Sequence, residues 1–134
     1  MSGRFEVRVY YEDTDFSGVV YHASYLRFME RGRTELLRAL GLSQGEIMAG
    51  KAGEVFGFAV RAMSVEFLKP ARMDDLLTIE TRADAIGGAS MDLDQRVLRG
   101  AEVLITAKVR IACVANGKPA RIPKAVREAL GGGA

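Results

Sequence analysis

The chain contains very little of the residues that build disulfide frameworks and metal sites. Among its 134 residues there are one cysteine, Cys113, and one histidine, His22. A single cysteine excludes an internal disulfide and is compatible with a reducing compartment. The two residues together cannot supply the nitrogen and sulfur ligands of a zinc site, so we expect no metal. Cys113 is in phase with apolar neighbours, which indicates a small core residue rather than a nucleophile.

Long apolar runs and a strong charge imbalance are missing as well. No stretch approaches the run of about 18 apolar residues that indicates a transmembrane helix, and the N-terminus has no apolar signal segment. The net charge is +2, and basic residues alternate with acidic ones rather than forming blocks. This pattern does not indicate a nucleic-acid partner. We therefore expect a cytoplasmic protein without membrane insertion.

What is present is enough for one domain. The chain is 49% hydrophobic and 27% charged, without internal repeats or low-complexity segments. A chain of this length buries roughly two-thirds of its unfolded surface on folding. We predict a single domain over residues 1–130, followed by a Gly-rich tail, residues 131–134, that is predicted to be disordered.

Hydrophobic periodicity predicts an α+β fold. Apolar residues alternate over residues 4–11, which predicts a half-buried strand, and residues 24–41 change to the spacing of one long helix ended by Gly41. Residues 43–54 resemble a short helical turn and loop. Alternation then returns in four segments, and a short helix is predicted in "PKAVREAL" before the tail. We predict that about five antiparallel strands curve around the long helix.

The segment "YYEDTDFSGVVYH", residues 10–22, holds the most chemistry. Its acids and Gly18 match part of a calcium-binding loop, but Ser24 stands where that loop needs its final glutamate, and a strand rather than a helix precedes it. A Ser-His-acid triad would depend on His22 without an identifiable nucleophile. From the residues alone, a solvated acidic turn is as good an interpretation as a catalytic carboxylate.

A resemblance favours the catalytic interpretation. The segment "YEDTDFSGVVYHASYLRFMERGR", residues 11–33, closely resembles hotdog-fold acyl-CoA thioesterases of the 4-hydroxybenzoyl-CoA thioesterase type, and most of all their Tol-Pal-associated branch. The later segment "FLKPARMDDLLTIET", residues 67–81, resembles the same family. The resemblance covers nearly the whole chain and implies a hotdog fold, in which one long helix is wrapped by an antiparallel sheet.

The resemblance implies that Asp15 is the catalytic carboxylate, acting as nucleophile or general base. It also implies that the backbone N–H of His22, at the start of the helix, polarises the thioester carbonyl. The first N–H groups of a helix lack intrahelical partners, so they suit this task. Gly18 would allow the tight turn that brings Asp15 beside the helix. The His22 side chain itself either orients Asp15, contacts the thioester or has no part.

Two further residues have competing interpretations. Some hotdog enzymes use a helix glutamate as base, which makes Glu30 the rival of Asp15. Glu30 lies about two turns after His22, and a supporting ion pair with a nearby arginine is the alternative. Gly57 matches a family glycine that approaches the thioester from across a subunit interface, and plain loop flexibility is its alternative.

Four more residues are candidates for substrate binding. Tyr21 and Tyr25 would line an acyl pocket, although aromatic residues at a helix start are usually core. Lys69 and Arg72 flank Pro70 and would hold the phosphates of coenzyme A, with solvated basic side chains as the equal alternative.

The resemblance implies an enzyme that hydrolyses acyl-CoA to free acid and coenzyme A without a cofactor. An acyl-carrier protein is an alternative carrier, and a homodimer or homotetramer is implied. Two other functions are a hotdog lyase acting on carrier-bound acyl chains and a non-catalytic acyl-CoA-binding adaptor of an envelope complex.

Overall fold

The computed structural model describes residues 2–41 and 56–131. Its elements in chain order are β1 (Ser2–Arg8), one 3-10 turn (Tyr11–Asp13), α1 (His22–Ala39), β2 (Gly57–Phe67), β3 (Leu76–Ile86), β4 (Ser90–Arg99), β5 (Glu102–Ala115), β6 (Lys118–Pro119) and α2 (Lys124–Ala129). The turn predicted for residues 43–54 lies outside the described residues, and Gly131 is the one tail residue within them.

The first strand shows the predicted alternation but ends earlier than predicted. Alternate residues from Ser2 to Arg8 are exposed and half-buried. The strand was expected to reach Tyr11, but Tyr11 begins the 3-10 turn. The reason is local, because the Asp13 carboxylate accepts a hydrogen bond from the Tyr10 backbone N–H at 2.8 Å. A side chain that satisfies a backbone donor in this way favours a turn over a longer strand.

Helix α1 is amphipathic and ends where the sequence predicts. Its buried residues recur at helical spacing, namely Ser24, Tyr25, Phe28, Met29, Gly32, Leu36 and Leu37. After the helix, Gly41 adopts a φ of +82° and its N–H donates to the Arg38 carbonyl at 3.0 Å. A residue in this left-handed conformation is the usual end of a helix, and glycine adopts it without a Cβ penalty.

The strands form one antiparallel sheet with the order β1-β3-β4-β5-β2, and β6 pairs with β5. The sequence predicts the five long strands and misses only the two-residue β6. Bulges interrupt the pairing of β2, β3 and β4. Bulges bend a strand and increase its twist, which lets strands of this length curve around α1. Strands β1 and β2 are the two edges, and both stand unpaired on one side within the described chain.

The helix lies very close to the sheet at Gly32. A Cβ built on this glycine would lie 2.6 Å from Ile79 Cγ2 and 3.1 Å from Thr81 Oγ1. The buried Gln95 side chain bonds across the same contact, donating to the Met29 carbonyl and to Thr81 Oγ1, both at 2.9 Å. These contacts fix the position of α1, and hence of its N-terminus, on the sheet. Among the described residues, no helix is both long and apolar enough to cross a membrane.

Candidate active site

The two aspartates of the "EDTD" segment occupy different environments. Asp13 is 6% exposed. Its carboxylate accepts a hydrogen bond from the Tyr10 backbone N–H and lies 3.7 Å from the Arg27 guanidinium. Its carbonyl accepts the Tyr21 N–H at 2.9 Å, which ties the turn to the residue before α1. Asp15 is exposed. The first acid therefore stabilises the loop, and the second is available to a ligand.

Asp15 lies in a tight loop that returns directly to the helix. Thr14 pairs with Val20, and the Asp15 N–H donates to the Val19 carbonyl at 3.0 Å. At the bend, Gly18 has a φ of +86° and donates its N–H to the Asp15 carbonyl at 3.0 Å. This is the tight turn that the sequence predicts for Gly18, and it requires a conformation that residues with a Cβ rarely adopt.

The Asp15 carboxylate is held by Ser17. Its Oδ1 atom accepts a hydrogen bond from the Ser17 backbone N–H at 2.8 Å and another from the Ser17 hydroxyl. The hydroxyl bond and the amide bond lower the pKa of Asp15 below its ordinary value, and the nearby His22 ring lowers it further. Hydrogen bonds to a carboxylate favour its charged form. Asp15 is therefore an anion at neutral pH.

The start of α1, which follows the Asp15 loop in the chain, offers backbone donors. The Tyr21 N–H bonds to the Asp13 carbonyl and the Ser24 N–H bonds to the Tyr21 carbonyl. The amides of His22 and Ala23 donate to no acceptor within the described part of the chain. Unpaired amides at a helix N-terminus, together with the helix dipole, attract a negatively charged oxygen. They suit the oxyanion that forms when a thioester carbonyl is attacked.

A cavity of about 200 Å³ opens beside these amides. It is lined by Val19, Val20, His22, Tyr25, Phe67, Leu68, Lys69 and Pro70. The His22 ring packs on the Phe67 ring with centroids 4.5 Å apart, and the centroids of the Phe67 and Tyr25 rings are 5.9 Å apart. The wall is therefore mainly apolar with one cation at its rim. An apolar cavity with a few polar groups is the usual form of a small-molecule site.

Tyr25 joins the helix to the opposite wall of the cavity. Its hydroxyl accepts a hydrogen bond from the buried Ala71 N–H at 2.8 Å, and burial raises the pKa of this hydroxyl. The ring is 2% exposed. The two interpretations of Tyr25 thus combine, since it is a core residue that also forms part of the cavity wall.

Lys69 and Arg72 differ in their availability. The Lys69 ammonium forms a salt bridge with Glu102 at 2.9 Å, and Glu102 also pairs with Arg99 at 2.7 Å. Arg99 in turn reaches Asp75 at 2.7 Å, which fastens the segment that carries both basic residues. Arg72 is exposed and forms no salt bridge with a described residue. Of the two cations, only Lys69 forms a salt bridge among the described residues, and the charge of Arg72 helps to lower the pKa of Asp75.

Of the candidates, only His22, Tyr25 and Lys69 line this cavity, and Asp15 lies in the loop before it rather than in its wall. Glu30 lies about 12 Å from His22 along the helix axis, because the helix rises 1.5 Å per residue. It accepts a hydrogen bond from Thr34 and lines a second cavity of about 120 Å³. Gly57 is the first residue of β2 and Phe67 is the last, so about 33 Å of extended strand separates them. Tyr21 is exposed and does not line the cavity beside His22.

Sequence reasoning missed two residues of this site. Ser17 binds the proposed catalytic carboxylate, and the Asp-x-Ser spacing is a signal for such a turn. Phe67 was identified only as one residue of a strand face, and its contact with His22 depends on the pairing of distant segments. The core position predicted for Cys113 is confirmed, since it is fully buried.

Comparisons with a family model and with known proteins all indicate the same family. Residues 9–130 match the model of the thioesterase-like superfamily. The acyl-CoA thioesterase YbgC of Haemophilus influenzae is 43% identical over 128 residues, covering 94% of this chain and 92% of the relative. The acyl-CoA thioester hydrolase YbgC of Escherichia coli O6:H1 is 46% identical over 126 residues, covering 92% and 91%.

A solved structure agrees with the sequence relatives. The crystal structure of a probable thioesterase from Bartonella henselae has a TM-score of 0.88 and 48% identity, and the match covers 92% of this chain and all of that one. The resemblance inferred from residues 11–33 is confirmed, as is the hotdog fold. This chain belongs to the thioesterase-like superfamily.

Proposed function

We propose that this protein hydrolyses acyl-CoA thioesters to the free acid and coenzyme A, with Asp15 as the catalytic carboxylate. The observation that supports this most is an exposed Asp15, with a lowered pKa, in the loop that leads into the start of α1. There the amides of His22 and Ala23 have no acceptor among the described residues, and His22 lines an apolar cavity. The relatives named acyl-CoA thioesterases support the choice of substrate. The reaction needs no cofactor, because coenzyme A is part of the substrate.

The chemistry follows two possible routes from one arrangement. In both, the thioester oxygen accepts hydrogen bonds from the start of α1, which stabilises the charge that develops on it. In the first route, the Asp15 carboxylate attacks the carbonyl carbon, the C–S bond breaks, and water hydrolyses the resulting anhydride. In the second, Asp15 removes a proton from a water molecule as the water oxygen adds to the carbonyl carbon, and the C–S bond breaks when the tetrahedral intermediate collapses. Both release coenzyme A as a thiolate.

We also propose a homodimer in which the two β2 edges pair antiparallel, either alone or doubled into a homotetramer. Strand β2 runs from Gly57 to Phe67 and is an edge of the sheet. A two-fold axis near its middle would set Gly57 of the partner subunit opposite Phe67 and so beside the His22 cavity. Such pairing would give Gly57 the role that the family resemblance implies. It would also move the partner's Glu30 toward this cavity, so Glu30 stays the rival base.

Release of free thiol from a panel of acyl-CoAs, detected with dithiobisnitrobenzoate, tests the proposal. Asp15→Asn keeps the size of the side chain and removes its charge. It should lower kcat by roughly a hundred-fold or more with a modest change in KM, because an interaction of the transition state is lost. Glu12→Gln is the matched control, since Glu12 is exposed in the same loop. Asp13→Asn would be a poor control, because Asp13 is buried and bonded.

The rival assignments give different results in the same assay. If Asp15→Asn turns over normally and Glu30→Gln abolishes turnover in a folded protein, the helix glutamate is the base. If the parent releases no thiol from any acyl-CoA but binds it, the adaptor function replaces hydrolysis. If it instead converts a carrier-bound acyl chain without releasing thiol, the lyase function does.

Single-turnover hydrolysis in ¹⁸O-labelled water tests for the anhydride. Label in the Asp15 carboxylate indicates the anhydride, whereas label in the product acid alone is expected if Asp15 activates water or if water attacks the anhydride at the acyl carbon. We further propose that coenzyme A is the physiological carrier, with acyl-carrier protein as the alternative, and that the enzyme acts in the cytoplasm. Association with the Tol-Pal envelope system stays a prediction of the sequence resemblance, as does the role of Arg72 and Lys69 in holding phosphate.

A further inference from the structure

Asp15 is an exposed side chain that nevertheless has a defined position. Its loop is short, and an exposed carboxylate would ordinarily rotate among several rotamers. Here one of its oxygens, Oδ1, accepts both the backbone N–H and the hydroxyl of Ser17. The Val19 backbone also acts on this carboxylate and lowers its pKa. Ser17 is the residue that holds Oδ1 with two donors, and it thereby limits the orientations that the exposed carboxylate can adopt.

We propose that Ser17 is a positioning residue for Asp15, with its hydroxyl fixing the orientation in which the carboxylate is presented to the thioester. This inference rests on the proposed function. The backbone N–H of Ser17 would be available with any residue except proline at this position, so the hydroxyl is the contribution specific to serine. It turns a single contact into two contacts on the same oxygen, which restricts rotation of the carboxylate.

The groups around Asp15 predict the direction in which its pKa changes when the Ser17 hydroxyl is removed. The groups acting on its pKa are the Ser17 hydroxyl, the Ser17 amide, the Val19 amide contact and the His22 ring across the loop. All four favour the ionised form. Removing the hydroxyl removes the largest of them, so the pKa of Asp15 should rise. Activity that needs the anion would then be lost at a higher pH as the solution is acidified.

The test compares Ser17→Ala and Ser17→Thr with the parent. Ser17→Ala should lower kcat at neutral pH by about ten-fold, the typical effect of losing one bond to a charged group. It should also shift the acid limb of the pH profile of kcat/KM to higher pH. Ser17→Thr keeps a hydroxyl and should restore both. Ser2→Ala in strand β1 is the matched control for a serine hydroxyl elsewhere, and thermal unfolding of all variants reports the fold.

A second readout does not depend on turnover. Carbon-13 NMR of aspartate-labelled protein, with Asp15 assigned by its absence in Asp15→Asn, follows the titration of the carboxyl directly. Ser17→Ala should titrate at a higher pH than the parent. If the parent is active and Ser17→Ala keeps the parental kcat, the acid limb of its pH profile and the Asp15 titration, then the role of Ser17 is refuted. The proposed function is unaffected by that result. If the parent releases no thiol but the Asp15 titration still shifts in Ser17→Ala, then the proposed function is refuted and the Ser17–Asp15 contact is supported.

Discussion

Replacing Gly32 with alanine should destabilise the protein, although alanine is the better helix former. Gly32 lies inside α1, where helix propensity alone predicts a gain of about 1 kcal/mol for alanine. The structure predicts the opposite sign. The new Cβ would lie 2.6 Å from Ile79 Cγ2, and carbon atoms pack favourably at about 3.5–4 Å. The helix and sheet would have to separate by about 1 Å.

The size of the effect follows from what this separation disturbs. Overpacking of a core typically costs about 1–3 kcal/mol. The separation also stretches the bonds from Gln95 to the Met29 carbonyl and to Thr81 Oγ1, each contributing about 1 kcal/mol. The weakened bonds roughly offset the propensity gain, so we expect the free energy of unfolding to fall by about 1–3 kcal/mol and Tm by roughly 3–10 °C.

Thermal and urea unfolding of the two proteins measure this difference, and a double-mutant cycle identifies its cause. Ile79→Ala removes the nearest obstructing atom, so Gly32→Ala should cost less in that background, or become favourable. Gly32→Ala with unchanged or higher stability in the parent would show that the contact relaxes freely. An equal cost in both backgrounds would show that Ile79 is not the source of the strain.

Two other predictions concern the cavity wall and the assembly. Tyr25→Phe should lower the free energy of unfolding by about 1–3 kcal/mol, because it leaves the buried Ala71 N–H without its acceptor. Thermal unfolding measures this, with Tyr11→Phe at an exposed tyrosine as the control that should show no change. Multi-angle light scattering at micromolar concentration should give a dimer or tetramer, and a species of only 14.6 kDa would refute the proposed β2 pairing.

The fold was predictable because its strongest signals are periodic and local. Alternation predicts the long strands, helical spacing predicts α1, and Gly41 predicts its end. The signals fail where a single side-chain contact decides the outcome, or where the element is too short to carry a pattern. Strand β1 stops early because the Asp13 carboxylate takes the Tyr10 amide. The two-residue strand β6 is too short for any alternation to show.

The site was predictable only where neighbours in sequence are also neighbours in space. Asp15, Gly18 and His22 lie within one hairpin-like loop, so a single motif contains all three. The wall opposite them comes from Phe67 and the segment after it, which the sheet brings there from far along the chain. Periodicity assigns Phe67 to a face of a strand, but it cannot say that this face meets the His22 ring.

The difference between Asp13 and Asp15 follows from which way the chain turns between them. Asp13 is the last residue of the 3-10 turn, whereas Asp15 follows the extended Thr14 that pairs with Val20. The two acids therefore do not belong to one continuous strand, in which residues i and i+2 would share a face. Asp13 falls on the side of the Tyr10 amide and Arg27, where burial and pairing occupy its carboxylate. Asp15 is exposed in the loop before α1, where Ser17 donates two hydrogen bonds to its carboxylate. A pair of acids spaced D-x-D is therefore divided by the backbone into one that builds the loop and one that the loop presents.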